Sequence, residues 1–206
     1  INLENTGIEV FYIEDFIHSK IYKNIVIDNP KYAYIIHTSG TSGLPKGIKI
    51  THYSLTNGIN SYLKTYPKYN SLYSTSIIWD PNFRELFLPL LNNRTIFICN
   101  NLLRDKISYD VEWINGTPNI LTLLKIPIGV KLITTTGSKI NKNYWNNVKH
   151  IKDIWSCYGP TECFDVSTLI RLKKYDTSLG LPFPNYNIYI TKNNKLVPIN
   201  IVGEIY

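Results

Sequence analysis

The chain has 206 residues, 44% hydrophobic and 18% charged, the balance of a globular protein with ample material for a core. Its formal net charge of +7 raises nucleic acid as a partner, but the lysines are dispersed and no arginine stripe with interleaved aromatics accompanies them, so nucleic acid is set aside. Apolar runs are too short and broken for a membrane span, the four histidines show no zinc-like pairing, and three cysteines without metal-ligand spacing point to a reducing, cytoplasmic setting.

In chain order, residues 1–30 carry weak patterning, with short strands expected at Ile8–Phe11 and Asn24–Ile27 and a turn at Asp28-Asn29-Pro30. The opening INLENTGIEV does not read as a secretion signal. A buried strand at Tyr34–Ile36 leads into a glycine and hydroxyl stretch, Thr38 to Gly43, and a second strand begins after Lys46. Thr51 is the expected N-cap of a helix that Pro67 ends near Tyr66. Leu72–Ile78 reads as a strand. Asp80 then reads as N-cap, with Pro81 at the first helical position of a helix reaching Leu91, and Asn92-Asn93 as its turn.

Thr95–Cys99 has the apolar run of a buried strand, and Asp110–Ile114 is strand-like. A short helix follows Thr117-Pro118, a strand spans Lys131–Thr135, Gly137 marks a turn, and Asn141–Lys149 is helical. Ile154–Cys157 is a strand running into YGPTE at 158–162. The tail from Val166 is strand-rich, with Asn193-Asn194 as a hairpin turn. Strands alternating with helices predict an α/β fold: a layered βαβ core with a mostly parallel sheet, plus a β-rich C-terminal tail. No internal repeat or linker divides the chain, which reads as one domain over 1–206.

Two stretches carry chemistry. In the first, Thr38, Ser39, Gly40, Thr41, Ser42, Gly43 and Lys46 combine glycines that let backbone N–H groups approach oxygens, hydroxyl donors and one positive charge, the equipment of a polyphosphate loop. It is not a Walker loop: Gly40 and Gly43 are too close together, and Lys46 is followed by Gly47 and a strand, not by Ser or Thr and a helix. An unrelated P-loop NTPase fails on that point. In the second, Tyr158 offers a flat face to a base, Thr161 a hydroxyl to a phosphate, and Glu162 a carboxylate of the kind Mg²⁺ takes alongside phosphate oxygens.

These motifs, in this order, resemble the adenylate-forming superfamily, which contains acyl-CoA synthetases, luciferases and the adenylation domains of nonribosomal peptide synthetases. TSGTSGLPKG fits its phosphate-loop signature throughout, and WDPNFRELFLPLL, TPNILTLL, LITTTGSKI, LGLPFPNYNIYI and VGEIY resemble its later segments, so the likeness spans about residues 29–206. The resemblance implies ATP and Mg²⁺ as cofactors, with Tyr158 stacked on adenine, Thr161 on the α-phosphate, Glu162 on the metal and Lys46 at the phosphates. Gly137 is kept in the segment usually ending G-G-E, but Thr136 and Ser138 stand where Gly and Glu are common. Asp80 resembles the aspartate that holds a substrate α-ammonium, which favours an amino acid over a fatty or aryl acid.

The same alignment places a substrate pocket at Asp80, Pro81, Arg84, Asn115, Thr134, Thr136, Cys157, Asp165 and Val166. Arg84 and Asp165 are of opposite sign: either a polar or charged substrate group binds between them, or they pair with each other or face solvent. The implied function is ATP-dependent activation of an amino acid as aminoacyl-AMP, then transfer to phosphopantetheine on a carrier protein, with a small helper protein among the partners the family allows. The alternatives are an acyl- or aryl-CoA ligase core, disfavoured by Asp80, and a non-catalytic module binding nucleotide or a protein partner. The ribose-gripping motif, the hinge and the small C-terminal domain with its lysine do not occur before Tyr206, so the expectation is a domain core truncated at both ends, from a larger parent enzyme.

Overall fold

The computed structural model describes residues 31–39 and 44–206. The strands expected at Ile8–Phe11 and Asn24–Ile27 lie outside that range, as do Gly40, Thr41, Ser42 and Gly43 of the glycine-rich loop.

β1 (Tyr32–Thr38) and β2 (Lys46–Thr51) form an antiparallel hairpin in which Thr38 faces Lys46. β1 was expected to be buried. It is half covered instead: Ile36 is in the core and Ile35 exposed, because a two-stranded ribbon packs on one face. α1 (His52–Thr65) starts where expected. The Thr51 hydroxyl accepts from the Ser54 N–H at 3.1 Å, closing one of the orphan donors of a helix start.

β3 (Ser71–Tyr73) stops well short of the expected Ile78. The N–H groups of Ser74 and Thr75 donate to the Glu85 carboxylate rather than to a neighbouring strand, so the ladder ends there. α2 (Asn82–Leu91) corrects the second expectation: Pro81, not Asp80, holds the cap position, without a side-chain cap bond. Asp80 contributes only its backbone carbonyl, which accepts from Phe83 N at 3.1 Å. β4 (Ile96–Ile98) is a sheet edge and not a buried strand, with Ile98 80% exposed.

β5 (Trp113–Gly116), β6 (Leu132–Thr135) and β7 (Asp153–Tyr158) alternate with α3 (Pro118–Leu123) and α4 (Lys142–Val148), whose starts are capped by Thr117 and Asn141. β8 (Thr168–Arg171) and β9 (Leu181–Pro182) complete a seven-stranded sheet of order β4-β3-β5-β6-β7-β8-β9, parallel up to β7 and antiparallel beyond it. β10 (Ile190–Lys192), β11 (Lys195–Leu196) and β12 (Glu204–Ile205) make a small antiparallel sheet; Asn193 and Asn194, both at positive φ, form the expected hairpin turn.

Two cores flank the large sheet, and strand periodicity feeds both. Ile114, Ile133 and Ile154 pack with Leu121, Tyr144 and Val148 of α3 and α4. Their neighbours Trp113 and Leu132 pack on the other face with Ile59, Tyr62 and Leu88 of α1 and α2. Each such aliphatic side chain contributes roughly 1.5–3 kcal/mol when fully buried. The helices thus fix the parallel strands from both sides, and the strand ends are left to carry loops.

Candidate functional site

Parallel strands place all their C-terminal ends along one edge of the sheet, the usual location of a ligand crevice in open α/β sheets. Here that edge holds a cleft of about 640 Å³. Its walls are Ser74–Ser76 beyond β3, Asn100–Leu103 beyond β4, Gly116-Thr117 at β5, Thr136-Gly137 beyond β6 and Gly159–Thr161 beyond β7. Trp79, Asp80 and Pro81, on the approach to α2, close one side. A second hollow of about 480 Å³ shares Thr136, Gly137 and Gly159 with the first and extends along Ser138–Ile140, Ser156–Tyr158 and Thr177–Leu179.

Of the residues picked from sequence, Asp80, Pro81, Asn115, Thr136, Gly137, Thr161 and Asp165 line the first cleft, and Thr136, Gly137, Cys157 and Tyr158 the second. Tyr158 is 42% exposed at the end of β7 and borders the second hollow. Gly137 has φ of +85°, which glycine adopts without strain. Arg84, Thr134 and Val166 are buried behind the first cleft and line neither hollow. Lys46 and Thr38 face each other at the loop end of the hairpin, and Ser39 follows Thr38. Glu162 is exposed on the short 3-10 turn Thr161–Cys163. Mg²⁺ characteristically takes one or two carboxylates plus substrate phosphates and water, and an accessible lone Glu162 suits that mode.

Asp80 is buried at the cleft, and its carboxyl is pushed up to about 6. Burial is the main cause and the nearby Asp165 adds to it; the Thr161 hydroxyl and the Arg84 charge pull it back part of the way. The missing helix-cap bond is therefore informative. Asp80 is not consumed by α2 and keeps a carboxylate available to the cleft.

Arg84 and Asp165 pair with each other, Nη1 to Oδ2 at 3.3 Å, and both side chains are essentially inaccessible. The Tyr62 hydroxyl donates to the same Oδ2 at 2.6 Å, and Arg84 Nη2 donates to Asn115 Oδ1 at 2.9 Å. Thr134 Oγ1 also donates to Asn115 Oδ1, at 3.0 Å, and receives the Trp113 indole N–H at 3.0 Å. Burial pushes the Asp165 carboxyl above the ordinary aspartate range, with Arg84 and Tyr62 opposing. Beside this network, the Tyr66 hydroxyl and Cys157 Sγ lie 3.1 Å apart. Cys99, Cys157 and Cys163 are all free thiols.

Sequence reading missed Glu85. This fully buried carboxylate accepts from Ser74 N at 2.9 Å and Thr75 N at 3.0 Å, from the Thr75 hydroxyl, and from Asn115 Nδ2 at 2.7 Å. It fixes one wall of the cleft and, through Asn115, the guanidinium of Arg84. The available signal was an acid inside the apolar helix FRELFLPLL, where a solvated charge is out of place. Nothing in the sequence hinted that Phe164 and Asp165 both adopt left-handed φ, 56° and 61°. For a phenylalanine that conformation is an outlier, held by complete burial of its ring and by the Asp165 ion pair next to it.

Among the described residues no helix is long and apolar enough to cross a membrane. The family model for AMP-binding enzymes matches residues 13–206. Among curated proteins, the chain is 28% identical over 196 residues to nonribosomal peptide synthetase 2 of Gibberella zeae, covering 86% of this chain and 4% of that protein. It is 28% identical over 196 residues to gramicidin S synthase 2 of Brevibacillus brevis, covering 84% and 4%. The chain therefore spans only a small part of the length of these relatives. Among solved structures, the N-terminal subdomain of Klebsiella oxytoca NpsA in complex with 3-hydroxyanthranilyl-AMSN superposes with a TM-score of 0.74 at 17% identity, covering 94% of this chain and 56% of that one. The Vibrio cholerae adenylation domain AlmE in complex with glycyl-adenosine-5'-phosphate gives 0.70 at 18% identity, covering 87% and 37%. These likenesses establish a shared fold.

Proposed function

Because the chain belongs to the AMP-binding enzyme family, we propose that it forms the substrate- and nucleotide-binding core of an enzyme that activates an amino acid with ATP. The substrate carboxylate oxygen attacks the α-phosphorus of ATP, the bond to the bridging oxygen breaks, and pyrophosphate leaves with aminoacyl-AMP formed. Asp80 holds the α-ammonium at the first cleft, a charge-assisted contact in a largely desolvated setting. Tyr158 stacks on adenine along the second hollow, Thr161 donates to the α-phosphate, and Lys46 with the loop from Thr38 receives the departing phosphates. Bound Mg²⁺ supplies countercharge to the phosphates, and Glu162 is the residue that would hold it. Catalysis on this reading is mainly positioning and electrostatics.

One observation carries the choice of an amino acid. Among the described residues Asp165 is paired with Arg84 and Glu85 is held by four hydrogen bonds, while the Asp80 carboxylate lines the cleft without an ion-pair partner. That one carboxylate matches one ammonium. The peptide-synthetase relatives and the free thiols support a cytoplasmic enzyme that passes its aminoacyl group to a phosphopantetheine thiol on a carrier protein. The test is amino-acid-dependent exchange of labelled pyrophosphate into ATP by the intact protein carrying this sequence. Exchange that responds to amino acids and is lost in Asp80→Ala supports the reading; exchange driven equally well by aryl or fatty acids counts against it.

A second reading has its own support. Thr136 and Ser138 occupy the positions where Gly and Glu are usual beside adenine, so a module that binds nucleotide or a partner without turnover remains the competing account. Nucleotide binding without exchange for any acid selects it.

A further inference from the structure

Three aromatic rings outside both hollows tie together the segments that carry the site residues. Tyr34 lies on β1, upstream of Thr38 and the glycine-rich loop, and opposite Ile50 of β2. Its ring stacks on Phe83, with centroids 4.1 Å and planes 22° apart. Phe83 is in the first turn of α2, and its N–H donates to the Asp80 carbonyl at 3.1 Å. Phe83 also meets the Phe164 ring, 6.5 Å away and inclined at 45°, and Phe87 stacks beside it at 6.1 Å. Phe164 ends the turn that bears Thr161 and Glu162, and its N–H donates to the Thr161 carbonyl at 3.2 Å. Phe164 has no room to give way: it is fully buried, and α1 backs it so closely that a Cβ on Gly58 would fall 2.0–2.1 Å from its ring.

We propose that Phe83, together with Tyr34, is a positioning residue for adenylate formation: it touches neither substrate and sets the spacing between the phosphate loop, Asp80 and the Thr161-Glu162 turn. The proposal rests on the amino-acid reading above. Phe83 is the ring packed against both of the others, so a shift in any one segment is passed to the other two through close-packed side chains. Tyr34, Phe83 and Phe164 line neither hollow, so their contribution reaches the reaction through the segments they hold. Attack by a carboxylate held near Asp80 on an α-phosphorus held by Thr161 and the loop needs those segments at a fixed separation, and a misplacement of about 1 Å can cost about a hundredfold in rate. The ring of Tyr34, not its hydroxyl, makes the link: the hydroxyl is buried and has no hydrogen-bond partner among the described residues.

The experiment is pyrophosphate exchange by the intact protein carrying this sequence, comparing wild type with Phe83→Leu, Tyr34→Leu, their double variant and Tyr34→Phe. The KM for ATP and the KM for the amino acid that gives the fastest wild-type exchange are measured separately, and kcat is expressed per folded molecule from near-UV circular dichroism. Each leucine variant is expected to lower kcat roughly ten- to hundredfold while both KM values stay within about threefold, the split that marks lost positioning and not lost binding. The double variant should cost little more than the worse single, because the rings act as one unit. Tyr34→Phe restores the ring and should restore kcat. Should Phe83→Leu fail to fold, Tyr34→Leu on the half-covered ribbon decides alone. Folded leucine variants with wild-type kcat, a loss confined to one KM, or a Tyr34→Phe as impaired as Tyr34→Leu overturns the proposal and leaves amino-acid activation standing. Wild-type protein that exchanges with no amino acid overturns the reading beneath it as well.

Discussion

Replacing Arg84 by methionine is the most exacting test of how the site is built. Met matches the length of the guanidinium stem but deletes the charge. Asp165 then keeps the Tyr62 hydroxyl as its remaining partner in a fully buried position, and Asn115 Oδ1 loses its bond from Nη2. Removing one partner of a buried ion pair typically costs about 3–5 kcal/mol. At roughly 2–4 °C per kcal/mol for a domain of this size, Tm falls by roughly 6–20 °C. The companion Asp165→Asn still accepts from Tyr62, so the double variant Arg84→Met/Asp165→Asn buries no unpaired charge and is expected to recover at least about half of the loss. Urea unfolding of all four proteins gives the coupling directly. An Arg84→Met cost below about 1 kcal/mol, or strict additivity in the cycle, would show that the pair is hydrated or dispensable and would undo the assignment of Arg84 as the partner of Asp165.

Other outcomes follow from single contacts. Gly58→Ala places a Cβ 2.0–2.1 Å from the buried Phe164 ring; helix propensity returns up to about 1 kcal/mol, but overpacking of about 1–3 kcal/mol or more outweighs it, and thermal melting should show a net loss. Thr51→Ala removes the bond to Ser54 N at the start of α1 and should cost about 1 kcal/mol in chemical denaturation; no change would mean that α1 is set by packing alone. Asp80 binds its proton more tightly folded than unfolded, so between its ordinary value of 3.8 and about 6 it lowers stability as pH rises, and in the folded protein its charge appears as pH passes through about 6. Amino-acid KM should therefore fall as pH increases through about 6, and Asp80→Asn should remove that inflection; an unchanged profile in the variant would detach Asp80 from ammonium binding.

Local features were readable where local physics decides them. The cap at Thr51, the helix starts near Thr117-Pro118 and Asn141, the turn at Asn193-Asn194 and the alternation of β5 to β7 with α3 and α4 all follow from side-chain chemistry within a few residues, and they hold. Reading failed where a distant group intervenes. Leu72–Ile78 has strand composition, but Glu85 captures the N–H groups that would have continued the ladder. Asp80-Pro81 has a cap-like composition, yet the helix begins one residue later and leaves the carboxylate to the cleft. Thr95–Cys99 is apolar enough for a central strand, but its place at the end of the sheet order exposes Ile98. Arg84 and Asp165 are far apart along the chain, so the sequence showed two opposite charges and left their arrangement open; contact decides it.

The central claim is that this cleft activates an amino acid at the expense of ATP. Its most direct test is mass-spectrometric detection of aminoacyl-AMP after mixing the intact protein carrying this sequence with ATP, Mg²⁺ and a pool of amino acids, beside Lys46→Ala and Glu162→Ala. The account predicts one dominant adenylate, formed from an α-amino acid and strongly reduced in both variants. Folded protein that binds ATP but forms no adenylate from any amino acid would contradict it.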